Sequence, residues 1–173
     1  MASIIDELAE VLDQENSEYT TLIDLSQQKT SIIIKNDIIA LQKIMEEEQV
    51  IVDRINVLEK KREGIVREIC KVLKIERPAD LTVKTLIELL HRQPKEQAQL
   101  SEVHNRLRRT LNQMVTVNEN NKALIQEALE MIEFEMNLVK GLRMAPETNN
   151  YDRSAASGSA VGSSMNGSFD AKQ

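Results

Sequence analysis

Few places in the 173-residue chain bring reactive side chains to a spacing that chemistry could use. Glu88 and His91 are three residues apart, the Glu-x-x-His spacing that puts a carboxylate and an imidazole on one face of a helix, as in di-iron bundles. Such a centre needs a second pair and two further glutamates. The other histidine, His104, has Ser101 three residues before it, so the second pair is missing. His91 is better explained as a residue near a helix C-terminus, where the backbone dipole favours a cation. The lone cysteine, Cys70, follows the apolar Ile69 without a CxxC partner or a paired histidine, which argues against a reactive thiolate. It also excludes an intrachain disulfide. Glu46-Glu47-Glu48 reads as a largely solvated helix face rather than a paired-acid site. No Gly-rich phosphate loop and no nucleophile elbow occurs. The chain is therefore expected not to be an enzyme and to need no metal or cofactor.

Charge narrows the partners. A net charge of −6 and a pI near 5.1 oppose phosphate recognition, so no nucleic acid is expected. The basic cluster Arg106, Arg108 and Arg109 reads as a solvated helix face. No run reaches the roughly 18 apolar residues of a membrane span, and the N-terminus lacks the basic and apolar segments of a secretory signal. A cytoplasmic, soluble protein without membrane insertion is the expectation. With 29% charged and only 2% aromatic residues, the composition suits helix packing and leaves little for a β-sandwich.

The elements follow from periodicity. Residues 95–142 contain no proline and one glycine, Gly141, and carry Leu100, Val103, Leu107, Leu111, Met114, Val117, Leu124, Ala128, Met131, Leu138 and Leu142 at intervals mostly of three and four. A second file, Ile125, Ile132 and Val139, widens the stripe. The pattern predicts a helix about 70 Å long that needs partner helices. Ser3 is the expected N-cap of a first helix over 3–34, with Asp6 and Glu7 in its first turn. Its seam is Ile5, Leu8, Leu12, Tyr19, Leu22 and Ile33, interrupted by Glu15, Ser26 and Lys29. Asn36-Asp37 is the break, short enough to make helices one and two antiparallel neighbours. Helix two is expected over 37–74, with Leu41, Ile44, Ile51, Ile55, Leu58, Ile65, Ile69 and Val72 on its seam. Glu48 and Arg62 occupy seam positions as register devices. After a linker at 76–80, Thr82 caps a short third helix, 83–91, with Leu86, Leu89 and Leu90 on its apolar face. Pro94 opens the long final helix.

The fold class is thus all-α: an elongated, antiparallel, coiled-coil-like bundle of three long helices plus one short connecting helix. Residues 1–145 form the helical domain. The Ser/Gly-rich segment 146–173 cannot bury enough apolar surface to offset its ordering entropy and is expected to be a disordered tail. Of the methionines in the final helix, Met114 and Met131 are expected to pack inside the bundle. Helix one is too short to cover the whole of the final helix, so part of that stripe should remain free, which usually marks an interface.

Asn118-Glu-Asn-Asn121-Lys-Ala-Leu124-Ile125 resembles the Asn-x-x-Asn-x-x-Leu-Ile run of FlgN-type flagellar export chaperones. The long first helices, the short 81–91 segment and the tail with Tyr151, glycines and Phe169-Asp170-Ala171-Lys172 fit the same family. The resemblance implies a protein that binds the helical C-terminal ends of hook-filament junction (hook-associated) proteins. It would prevent their premature assembly and deliver them to the flagellar type III export gate. On that reading the cargo surface is expected at Asn118, Asn121, Leu124, Ala128, Met131, Ile132, Met136, Val139 and Leu142. Asn118 and Asn121 serve equally well as seam residues that tune register, and Tyr151 is the expected docking residue for the export gate. Homodimerisation stays open. A structural coiled-coil homo-oligomer, or a regulatory adaptor that sequesters another helical protein, are the alternatives from the residues alone.

Overall fold

The computed structural model describes residues 2–76 and 81–144, with side chains from Ile4 onward. Four α-helices account for nearly all of them: α1 (Ala2–Ile34), α2 (Ile38–Leu73), α3 (Val83–Leu89) and α4 (Pro94–Met144). A single 3-10 turn, Leu90–Arg92, continues α3. By internal packing the chain divides into two units, Met1–Glu135 and Met136–Gln173. All the packing described below belongs to the first. In the second, the described residues are the last turns of α4.

α1 ends where Asn36 takes a left-handed conformation, φ 54°, a geometry that Asn tolerates better than most residues. Asp37 then caps α2, its carboxylate accepting from the Ala40 amide at 3.0 Å. The start of α1 differs from the expectation. The helix already includes Ala2, so Ser3 lies inside its first turn rather than ahead of it, and no acidic residue falls in that turn. At the far end of α2, Lys74 is left-handed (φ 55°) and its amide returns to the Cys70 and Lys71 carbonyls. Thr82 caps α3 as expected, in a capping box with Thr85, and Pro94 opens α4.

α1 and α2 are antiparallel, as the short link between them requires. Glu15 pairs with Arg62, and Ser26 with Glu48. α4 runs parallel to α1: Thr110 bonds Asn16, and further along Asn121 bonds Ser26. The main core lies where all four helices meet. Ile5, Leu8 and Leu12 of α1, Ile69 and Cys70 of α2, Leu86 of α3 with Leu90 after it, and Leu100, Val103 and Leu107 of α4 pack there. Side chains of 0–2% exposure in this group give it most of its apolar burial. A second cluster of Leu22, Ile23, Ile51, Ile55 and Met114 holds the middle.

Three apolar seam assignments move. Val72 is 58% exposed while its neighbour Cys70 is buried, and Leu89 is exposed while Ile87 packs in its place. On α4, Met114 is buried but Met131 is 59% exposed, so it does not pack inside the bundle. The first two lie at the edge of their stripes, where a small rotation of the helix decides which neighbour faces inward. Met131 lies past the part of α4 that α1 covers. Asn121 is the last residue of α4 that is fully buried.

Candidate functional site

The polar residues that interrupt the seams meet each other. Glu15 is 2% exposed and accepts from Arg62 Nε at 2.9 Å. Burial raises the Glu15 carboxyl above its ordinary range, against the lowering effect of the Arg62 charge and hydrogen bond. Nearby, the Tyr19 hydroxyl donates to Glu59 at 3.4 Å, and burial followed by the Glu59 charge pushes its own pKa up.

About two turns beyond Tyr19 along α1, a network joins all three long helices. Ser26 Oγ donates to Glu48 at 2.8 Å and Lys29 Nζ pairs with the other Glu48 oxygen at 2.7 Å. Asn121 Nδ2 donates to the Ser26 carbonyl at 2.8 Å, and Thr30 Oγ1 donates to Asn121 Oδ1. Every polar atom buried among the described side chains has a partner. With complementary partners at fixed positions, these contacts permit one register of α1 against α2 and α4 and penalise slipped ones.

Asn121 is buried against α1 in the way its register-tuning reading expects, whereas Asn118, one turn back, is exposed. Leu124 and Ala128 are half-buried. From there to Glu135 α4 shows apolar surface: Ile125 is 38%, Leu129 61%, Ile132 49% and Phe134 65% exposed. Leu129, beside Ile125 and Ile132, joins this surface without having been singled out from the stripe, whereas Phe134, two residues past Ile132, lies on the other side of α4. In the second unit Met136, Val139 and Leu142 are each exposed as well. Tyr151 lies outside the described residues.

The residues considered for chemistry stay apart. His91 is exposed in the 3-10 turn, while Cys70 is buried in the core. Among the described residues no group of three His, Cys, Asp or Glu is placed to hold a metal ion. Arg106 is not simply a solvated side chain, since it pairs with Asp13 of α1 at 3.1 Å. The described helices include none long and apolar enough to cross a membrane.

A family model described as FlgN protein matches residues 1–158. The chain belongs to the FlgN family of flagellar export chaperones. No curated protein and no solved structure matched the chain. Membership in the FlgN family makes the protein a chaperone of flagellum biogenesis and protein export, and its helical architecture agrees with that. Chaperones of this family bind flagellar proteins. For an FlgN-family helical bundle the long, exposed apolar surface on α4 is the feature that a binding role would use.

Proposed function

We propose that the protein is a cytoplasmic export chaperone that holds the helical C-terminal end of a hook-filament junction protein against α4. By covering that end it prevents premature assembly and allows delivery to the flagellar type III export apparatus. The observation that supports this reading is the run of exposed apolar side chains Ile125, Leu129 and Ile132, with half-buried Leu124 and Ala128 at its start. An amphipathic partner helix laid on such a stripe buries both apolar faces. Met136, Val139 and Leu142 carry exposed apolar surface of their own, and the same proposal extends to them. Asn118, exposed one turn before Asn121, offers a polar contact at the start of the surface. Tyr151 and its flanking residues are proposed to dock on the export gate once cargo is loaded.

The test is binding of a purified C-terminal fragment of a junction protein, measured by calorimetry. Replacing Ile132 and Val139 together by Asp abolishes binding and leaves the circular dichroism spectrum unchanged, because both side chains are already exposed. Collapse of helicity in that variant, or undiminished binding by it, refutes the assignment.

A further inference from the structure

A groove with a volume of about 700 Å³ runs over α1 between α2 and α4. Leu12 and Tyr19 form its floor, Glu59 and Val66 belong to the α2 wall, His104 and Leu111 to the α4 wall, and the stretch from Leu81 to Lys84 at the start of α3 lines it as well. Both walls continue at the seven-residue period of packed helices. Stepping back along α2 from Val66 and Glu59 leads to Val52, Met45 and Ile38. Ile38 and Met45 line a separate shallow apolar patch and are 69% and 54% exposed. Stepping forward along α4 from His104 and Leu111 leads through Asn118 to Ile125 and Ile132.

The two progressions run in the same direction, since α4 is antiparallel to α2. They are also level. Ser26 bonds Glu48 of α2 through its hydroxyl and Asn121 of α4 through its carbonyl. Met45 and Ile125 are therefore each within about one helical turn of a common level.

We propose that this groove takes a single amphipathic helix from a partner protein, which lies between α2 and α4 and completes a four-helix arrangement. The site rests on the cargo reading above and deepens it: α4 supplies one wall and the start of α2 the other. From the level of Val66 to that of Ile38 the proposed path, which joins the groove to the separate patch, is about 40 Å long, the length of a helix of roughly 28 residues.

Charge selects the occupant. The α2 wall carries Glu46 and Glu59, while Arg62 and Arg67 are already paired with Glu15 and Glu63. The α4 wall carries Arg108 and, two seven-residue steps on, Lys122, and Lys84 at the start of α3 adds a third basic group at the Val66 end. The partner helix is thus apolar on its inner face, basic on the flank toward α2 and acidic on the flank toward α4. A second copy of this chain fits poorly. Between Ala123 and Val139 its exposed α4 stripe carries four glutamates and no Lys or Arg, which leaves Glu46 and Glu59 unmatched. The segment 145–173 has no file of aliphatic residues at helical spacing to fill the groove.

Five full-length proteins titrated with the same junction-protein fragment test the groove: wild type, Met45→Asp, Ile132→Asp, Val57→Asp and Glu46→Lys. Val57 is 67% exposed and sits two residues from Glu59, on another side of α2. The expected result is binding weakened about tenfold or more by Met45→Asp, unchanged within about twofold by Val57→Asp, with identical circular dichroism for all. Should Met45→Asp reduce helicity, Met45→Ser replaces it. Glu46→Lys should weaken binding several-fold at low salt, with the difference vanishing at high salt. Wild-type affinity in Met45→Asp together with a loss in Ile132→Asp overturns the groove and leaves the α4 surface standing. Wild-type affinity in both overturns the cargo surface as well. Equal losses in Met45→Asp and Val57→Asp, tighter binding by Glu46→Lys, or a Met45-dependent dimer in sedimentation without fragment also overturn it.

Discussion

Glu15 is the buried charge whose surroundings most directly set a pH dependence. It sits in the helix contact with one basic partner, and its carboxyl is held above the ordinary range mainly by desolvation. In the unfolded chain it titrates near 4.5. As pH falls from neutral through the raised native value, the folded state takes up the proton before the unfolded state does. Stability contributed at this position therefore rises, and the gain is complete below 4.5. Wild type should gain on a Glu15→Gln variant, which has no such proton to bind, when thermal unfolding is compared from neutral pH down to that value. If wild type loses ground instead, the Arg62 ion pair outweighs desolvation. That Glu15, Ser26, Lys29, Glu48 and Arg62 interrupt the apolar seams was plain in the sequence. Which of them pair was not, because pairing depends on the register of two helices about 20 to 50 residues apart along the chain.

The helices were legible because their signals are local. Asn36-Asp37 breaks α1 from α2, Thr82 and Thr85 form a capping box, and Pro94 opens α4. The expected bounds of the long helices fall within about two residues of those found. Misplaced residues lie at stripe edges: Val72 and Leu89 face solvent, while Cys70 and Ile23 are buried. A periodic pattern fixes the width of an apolar face but leaves its centre uncertain by a fraction of a turn. The α4 surface was readable as a stripe longer than α1 could cover. The groove was not, since its walls come from elements that meet only in the fold. Within α2 one residue contributes no packing. A Cβ added at Gly64 meets nothing within 4 Å, and the position is helical. Gly64→Ala should stabilise the protein by about 0.5–1 kcal/mol in chemical denaturation, from the reduced entropy of the unfolded chain. A destabilised variant would mean that the site is more confined than it stands.

For the whole chain, the proposed division of labour assigns cargo to α4 and the export gate to the segment after it. A chain ending at Pro146 should bind the junction-protein fragment with near-normal affinity yet fail to support its secretion. Tyr151→Ala should reproduce much of that defect, and loss of fragment binding on truncation would place the tail in the cargo clamp instead. The parallel placement of α1 and α4 has a separate consequence, for the order of folding. The bonds that join them close loops of 91 to 95 residues, whereas those between α1 and α2 close loops of 19 to 47. Longer loops cost more entropy to close and slow the contacts that depend on them. The α1–α2 hairpin should therefore form early, with α4 docking onto it last. Substitutions at Leu100 or Leu107 should then chiefly accelerate unfolding, while those at Ile51 or Ile55 should slow folding. During that interval the hairpin face that later receives α4 is open, so a nascent chain would pass through a state able to capture the wrong helix.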